Sequence, residues 1–255
     1  MTRTALVTGG GGGIGTATCL RLSRDGYRIG VLDLNVDTAK KTADLIPGAV
    51  ALGADVTDEK SMQAALDTFG AVPDVLVNNA GIVIFGPLVE KSLADYRKVV
   101  DVNLMGTVVP TWLVAPGMMK RGSGVIINIS SIAAVMTGPN LGAYTATKAA
   151  VAALAAQLAQ EFGPNGVRVN AIAPGMIDAG MGARSTHGDT ELDERRMAVI
   201  PSRRFGIGDD IANTIGFLCS EGGSYINGQT IVVDGGISIS GLSTVGRASQ
   251  QPKAG

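Results

Sequence analysis

The chain has 255 residues, a length that suits one large α/β domain, and 45% hydrophobic against 17% charged residues gives ample material for a core and excludes a disordered chain. The formal net charge is -1 with no basic block, so nothing in the composition offers a footprint for nucleic acid. Cys19 and Cys219 lie far apart, and with the single His187 they supply no recognisable zinc site, which argues against a metal-dependent dehydrogenase.

The start, Met1-Thr2-Arg3-Thr4, runs into a strand without an apolar signal region, so a cytoplasmic protein is expected. Apolar strand-like runs follow at Ala5-Val7, Ile29-Leu32, Val50-Leu52, Val75-Val77, Val125-Ile129, Val167-Ile172 and Thr230-Val233, mostly separated by helical periodicity. Runs such as Val125 to Ile129 are nearly apolar throughout, as strands buried on both faces should be. The alternation predicts an α/β fold, a doubly wound parallel sheet of about seven strands with helices on both faces. Thr107 to Met119 reads as a buried helix kinked by Pro110 and Pro116, too short to span a bilayer, and no membrane partner is expected. Thr145 to Phe162 is a long Ala-rich helix that a partner helix can approach closely, which points to self-association. Gly180 to Ile200 turns polar and lacks strand signals, the best candidate for a mobile lid.

Chemistry concentrates at a few places. After the first strand, Thr8-Gly9-Gly10-Gly11-Gly12-Gly13-Ile14-Gly15 leads into a helix from Thr16 to Ser23; a strand, a glycine turn and a helix N-terminus together form an anion site for a pyrophosphate. The second strand ends at Asp33, eighteen residues beyond Gly15 (33 minus 15), where a carboxylate can accept hydrogen bonds from the adenosine ribose and repel a 2′-phosphate. Neither the glycine loop nor the residues just after Asp33 contribute a cation, so NAD is the expected cofactor. Tyr144 and Lys148 stand one helical turn apart, a phenol and an ammonium on one helix face. A nearby cation favours phenolate, so the pair is expected to hold Tyr144 below the pKa of about 10 of free tyrosine.

In this order the motifs resemble those of the short-chain dehydrogenase/reductase family, from Thr4 to Gly236. Thr8-Gly9 with Gly13-Ile14-Gly15 resembles the family's cofactor loop, Asn78-Asn79-Ala80-Gly81 its strand-four motif, and Tyr144 with Lys148 its catalytic motif. Pro174-Gly175 resembles the turn against which the nicotinamide packs, and Gly228-Gln229 with Val233-Asp234-Gly235-Gly236 the family's last strand. The resemblance implies one Rossmann-type domain over 1–236, a substrate lid at about 176–200, and a tail at 237–255 whose end is expected to be disordered. It implies cofactor contacts from Gly9, Gly13, Ile14, Gly15, Asp33, Leu34, Asp55, Val56, Asn79, Ala80, Gly81, Tyr144, Lys148, Pro174, Gly175 and Ile177. A homotetramer, built through Thr145 to Phe162 and Thr230 to Val233, is the kind of assembly common in the family.

The resemblance also assigns the remaining catalytic positions. Ser131, thirteen residues before Tyr144 (144 minus 131), would hold the substrate oxygen, with Ser130 as a structural neighbour, although the two could be exchanged. Asn103 matches the family's helix asparagine that orders water toward the lysine; a buried, helix-bending amide is the alternative. Tyr144 would then exchange the proton of the substrate oxygen while hydride passes between carbon and nicotinamide, with Lys148 stabilising phenolate and holding the nicotinamide ribose. Where the family often has a threonine that holds the carboxamide, this chain has Ala179. The pocket expected from Ile82 to Phe85, Ile132 to Met136, Leu141 and Met176 to Met181 is largely apolar, so a small or medium secondary alcohol or ketone is the expected substrate, and Arg184 reads as a solvated loop charge. A 3-oxoacyl carrier-protein or CoA reductase is the alternative enzyme, disfavoured by Asp33 and by Gly122, Val125 and Asn165 where such reductases tend to place arginines. A nucleotide-sensing protein without catalysis would have lost one of Asn103, Ser131, Tyr144 or Lys148, and all four are present.

Overall fold

In the computed structural model of the chain, residues 2–180 and 190–240 are described. Seven parallel strands form one sheet: β1 (Thr4–Thr8), β2 (Arg28–Asp33), β3 (Val50–Gly53), β4 (Val75–Asn78), β5 (Gly124–Ile129), β6 (Val167–Pro174) and β7 (Thr230–Val233), in the order β3-β2-β1-β4-β5-β6-β7. Each apolar run found in the sequence is a strand. All five residues of β1 are buried, as a central strand covered on both faces requires.

Alternate strand residues feed two cores. On one face Ala5, Val7, Ile29, Val31, Val77, Ile127 and Ile172 pack with Cys19 and Leu22 of α1 (Gly13–Arg24), Ala39 and Ala43 of α2 (Val36–Ala43), and Ile211, Ile215 and Leu218 of a later helix, α8 (Gly208–Cys219). On the other face Leu6, Leu32, Leu76, Ile126 and Val169 pack with α3 (Glu59–Phe69), α5 (Gly106–Arg121) and α6 (Tyr144–Phe162). The helices start where the sequence caps them: Asn35 accepts from Asp37 N, Asp58 from Ser61 N, and Ser92 and Asp95 form a reciprocal capping box at α4 (Leu93–Val100). α7 (Thr190–Val199) falls in the expected lid; residues 181–189 of that lid, with Arg184 and His187, and the tail beyond Ser240 lie outside the described residues.

The helix expected over Thr107 to Met119 belongs to a longer one. α4, a π turn at Asp101–Met105 and α5 run on without a break as a 29-residue stretch, Leu93–Arg121, long and apolar enough by length and composition alone to cross a bilayer. Here it serves as a core helix: Val114, Ala115 and Met118 are buried against the sheet, and its last turn is closed by Gly122 in the left-handed conformation (φ 75°).

Between β1 and β4 the strand order reverses direction. The ends of β1 and β4 therefore splay their following loops to opposite sides and open a crevice at the carboxyl edge of the sheet.

Candidate active site

That crevice is a cleft of about 540 Å³, lined on one side by Gly9, Gly12, Gly13, Ile14 and Asp33 and on the other by Asn79 to Val83, Phe85, Ile129 to Ser131, Leu141, Tyr144, Lys148, Pro174, Gly175, Ile177, Ala179 and Gly180. The start of α1 has Gly12 as N-cap with no capping side chain and no acid in its first turn, so nothing in the helix itself offsets its positive end at the cleft. Gly9 and Gly13 have φ of 59° and 51°, which side chains rarely adopt. Gly15 lies behind the loop, where a Cβ would overlap the carbonyl oxygen of Gly9. Asp33 closes this half: its carboxylate accepts from Gly11 N and Asn35 N, both at 3.1 Å, and is held at the mouth by backbone rather than by a cation.

Thr8 and Asn79 join the two halves. The Thr8 hydroxyl donates to the Val77 carbonyl and accepts from Asn79 N (3.0 Å) and Ala80 N (3.1 Å), while the Asn79 amide donates to the carbonyls of Thr8 (3.1 Å) and Gly9 (2.9 Å). Asn79 lines the cleft, and its amide nitrogen is spent on shaping the glycine loop.

In the other half, the extended backbone after β5 turns Ser130 and Ser131 to opposite sides. Ser130 is buried and donates to the Lys148 carbonyl at 2.7 Å, whereas the Ser131 hydroxyl stands against the Tyr144 phenol and accepts from Ala133 N at 3.1 Å. Both serines line the cleft, but the Ser130 hydroxyl is spent on the Lys148 carbonyl while that of Ser131 is beside Tyr144. Lys148 is buried, donates to the Ile129 carbonyl at 2.8 Å, and has its Nζ 5.7 Å from the centre of the Tyr144 ring. Asn103 sits in the π turn with no exposed surface; its side chain accepts from Ile82 N (2.8 Å) and donates to the Ile82 carbonyl (3.0 Å) and to Thr147 Oγ1 (3.1 Å). A Cβ on Gly81 would lie 3.2 Å from Asn103 Oδ1 and 3.3 Å from Lys148 Nζ, so this glycine leaves the two side chains open to one another.

The electrostatics depart from expectation. Removal from water costs phenolate more than the neighbouring hydroxyl of Ser131 returns, and burial raises the Tyr144 phenol above its ordinary value. The same burial lowers Lys148 from 10.5 to about 8. The expectation that Lys148 holds Tyr144 below free tyrosine is therefore corrected for this structure: both groups are pushed toward their neutral forms, and the phenol is set up to keep its proton at neutral pH.

Four expected cofactor residues do not reach the walls of the cleft: Gly15, behind the glycine loop, and three others. Leu34 follows Asp33 out into solvent and is 76% exposed. Asp55 turns its carboxylate back onto Thr57, accepting from both the backbone N and the hydroxyl. Val56 is buried against Gly106 of α5. On the substrate side Ile82, Val83, Phe85, Leu141 and Ile177 form apolar walls, whereas Ile132 is committed to a small core with Ile200 and Ile237 and does not line the cleft. Met181 lies outside the described residues. Among those described, no cluster of His, Cys, Asp and Glu could hold a metal ion.

A glycine cradle at a helix start, a carboxylate beside it and a Ser/Tyr/Lys group across the cleft fit a nicotinamide dinucleotide and an oxidoreductase acting on CH–OH groups. Comparison with known proteins agrees. A family model described as enoyl-(acyl carrier protein) reductase matches residues 10–238. The chain is 37% identical to 2-(S)-hydroxypropyl-CoM dehydrogenase 3 of Xanthobacter autotrophicus over 91% of this chain and 95% of that one, and 37% identical to the 3-oxoacyl-[acyl-carrier-protein] reductase FabG of Staphylococcus aureus over 93% and 98%. A solved 3-oxoacyl-[acyl-carrier protein] reductase with bound NAD from Brucella melitensis superposes with a TM-score of 0.86 at 34% identity, covering 92% of this chain and 91% of that one. The chain belongs to the short-chain dehydrogenase/reductase family.

Proposed function

We propose that the protein transfers hydride between NAD(H) and a secondary alcohol or ketone of small to medium, largely apolar character. The observation that carries the reading is the composition of the cleft: among its described lining residues the only charged groups are Asp33, at the adenosine end, and Lys148, beside Tyr144. A carboxylate with no cation beside it accepts ribose hydroxyls and repels a 2′-phosphate, which favours NAD over NADP. The apolar walls favour a substrate whose only polar demand is one oxygen, met by Ser131 and Tyr144.

In this reading Gly9, Gly13, Ile14 and the start of α1 hold the pyrophosphate, Asp33 the ribose, and Pro174, Gly175 and Ile177 the nicotinamide, with backbone groups of Ile177 replacing the hydroxyl that Ala179 lacks. The bound cofactor supplies or accepts the hydride. Ser131 orients and polarises the substrate oxygen, and Tyr144 exchanges its proton. A phenol raised by burial is protonated at neutral pH, so the resting site is prepared to donate to a carbonyl, and oxidation gains as pH rises. Lys148 limits the cost of phenolate, and Asn103, across Gly81, orders water toward Lys148, so that water carries the proton outward.

A homotetramer belongs to the same reading. Trp112 on α5 and Met105 at the end of the π turn are 62% and 42% exposed, Ala146, Ala149 and Ala153 open a smooth face on α6, Phe217 is half-exposed, and β7, with half-exposed Val232, leaves one edge of the sheet unpaired. A cytoplasmic location is also proposed, in keeping with two unpaired cysteines. The alternative, a 3-oxoacyl carrier-protein or CoA reductase, is retained because a relative with that activity is as similar as the dehydrogenase.

The test is a panel of 2-alkanones, cyclic ketones, their alcohols and acetoacetyl-CoA, assayed by nicotinamide absorbance with both cofactors. Turnover of simple ketones with NADH is expected. Turnover confined to the thioester with NADPH would replace this reading with the alternative.

A further inference from the structure

A chain of buried hydrogen bonds runs from the centre of the sheet to the catalytic helix. Asn78 Nδ2 donates to Asn128 Oδ1 on the neighbouring strand and to Thr111 Oγ1, both at 2.9 Å. Thr111 donates to the Thr107 carbonyl (2.7 Å), and Thr107 donates to the Asn103 carbonyl (2.9 Å). Asn103 donates to Thr147, whose hydroxyl ends on the carbonyl of Tyr144 (2.8 Å). Asn78, Asn128, Thr111, Thr107, Asn103 and Thr147 are all at most 3% exposed.

Packing alone does not account for the two threonines. Valine has nearly the same shape and carries no hydroxyl to desolvate, and the surrounding sequence, Val108-Val109-Pro110-Thr111-Trp112-Leu113-Val114, is otherwise apolar. What the hydroxyls accomplish is local. The π turn at Asp101–Met105 disturbs the regular pairing of the helix immediately before Thr107, and Pro110 withholds a further N–H one turn later. Back-bonding from Thr107 and Thr111 to the carbonyls four residues earlier fastens this irregular stretch, and Asn78 fastens Thr111 to the sheet.

We propose that Thr107 and Thr111 are positioning residues for the proposed reaction: they fix the π turn and the Asn103 carbonyl, and so keep Asn103 beside Lys148 across Gly81. The inference rests on the reading of Tyr144, Lys148 and Asn103 as the proton-handling group. It makes the buried polar thread part of the catalytic support, since any slackening reaches the proton path before it reaches the cofactor cradle, which hangs from Thr8 and Asn79 instead.

The test compares Thr107→Val with Thr107→Ser, using NADH and the panel ketone with the highest kcat/KM. Thr107→Val should lower kcat by about tenfold and displace the break in the kcat–pH profile, with NADH affinity by fluorescence titration within about twofold of wild type; Thr107→Ser should restore both. Thr68→Val, which deletes an equivalent back-bond on the exposed face of α3, should change neither. If Thr107→Val does not fold, Thr111→Val against Thr111→Ser carries the same comparison. Wild-type kcat and pH profile in the valine variant, or a loss that serine does not restore, would overturn the inference. Tyr144→Phe run alongside separates the two levels: an inactive Tyr144→Phe beside an unaffected Thr107→Val removes the positioning role and leaves the reading standing, whereas an active Tyr144→Phe removes both.

Discussion

Replacing Gly15 with alanine should damage cofactor binding out of proportion to the size of a methyl group. The new Cβ would overlap the Gly9 carbonyl oxygen and lie 2.9 Å from both Asn79 Nδ2 and Gly10 Cα, so either the loop or the helix start must shift. The same Gly9 carbonyl accepts from the Asn79 amide at 2.9 Å, and the amide's companion bond to Thr8 depends on the same geometry. Two hydrogen bonds worth about 1 kcal/mol each, with part of the penalty for an amide left unsatisfied, give about 2–3 kcal/mol. Gly15 does not line the cleft, so this loss acts through the shape of the loop, and it corresponds to roughly 30- to 150-fold weaker NADH binding. Calorimetric titration with NADH measures it, with circular dichroism confirming that the variant is folded. Binding within about threefold of wild type would show that the loop accommodates the methyl group and that the rigid coupling of Gly9, Gly15 and Asn79 is wrongly assigned.

Tyr144→Phe should keep NADH affinity while kcat falls by at least about a hundredfold, and residual turnover within tenfold of wild type would place the proton elsewhere. With the phenol raised by burial, reduction should decline and oxidation climb as pH increases through its apparent pKa, a value belonging to the coupled site; a flat oxidative profile between pH 6 and 10 would contradict this. Lys148, lowered from 10.5 to about 8, leaves the native protein with fewer bound protons than the unfolded chain above pH 8, so its contribution to stability rises with pH. Urea unfolding should show wild type gaining on Lys148→Met from pH 8 to pH 10; a constant difference would show that Lys148 does not titrate there. Asp33→Ala should narrow the preference for NADH over NADPH, and tighter NADPH binding by wild type would refute the role given to that carboxylate. Trp112→Glu should shift the assembly toward smaller species in light scattering, while a wild-type monomer at micromolar concentration would end the tetramer proposal.

The strands were legible because burial on both faces leaves apolar runs with no polar interruption, and the glycine loop because it directly follows the first of them. Ser130 and Ser131 are alike in the sequence, and only the structure shows that the Ser130 hydroxyl is spent on the Lys148 carbonyl while Ser131 is beside Tyr144. Asn79 was visible as part of a motif, but its bonds to Thr8 and Gly9 join residues seventy positions apart. The long helix was half hidden, since Asp95, Arg97 and Lys98 make α4 look like surface while the prolines of α5 look like interruptions; the capping box at Ser92 was the available signal for its start. Asp55 and Val56 follow a strand just as Asp33 ends one, and no pattern distinguishes a carboxylate that faces a cleft from one that folds back on Thr57. The pKa of Tyr144 was misjudged because helical spacing reports a neighbouring charge but not the loss of water around it.

The single hydroxyl of Thr8 has a consequence for how the protein is made. β1 is made before either of its neighbours and can pair with β2 after some twenty further residues, completing one half of the sheet with β3. Its other flank must wait for β4, and the bonds from Asn79 and Ala80 that shape the glycine loop cannot form until about seventy residues beyond Thr8 have been added. Over that interval the loop is a flexible run of five consecutive glycines beside an open apolar strand edge. The nascent chain is thus most exposed to mispairing at the very strand that later becomes the best protected in the sheet.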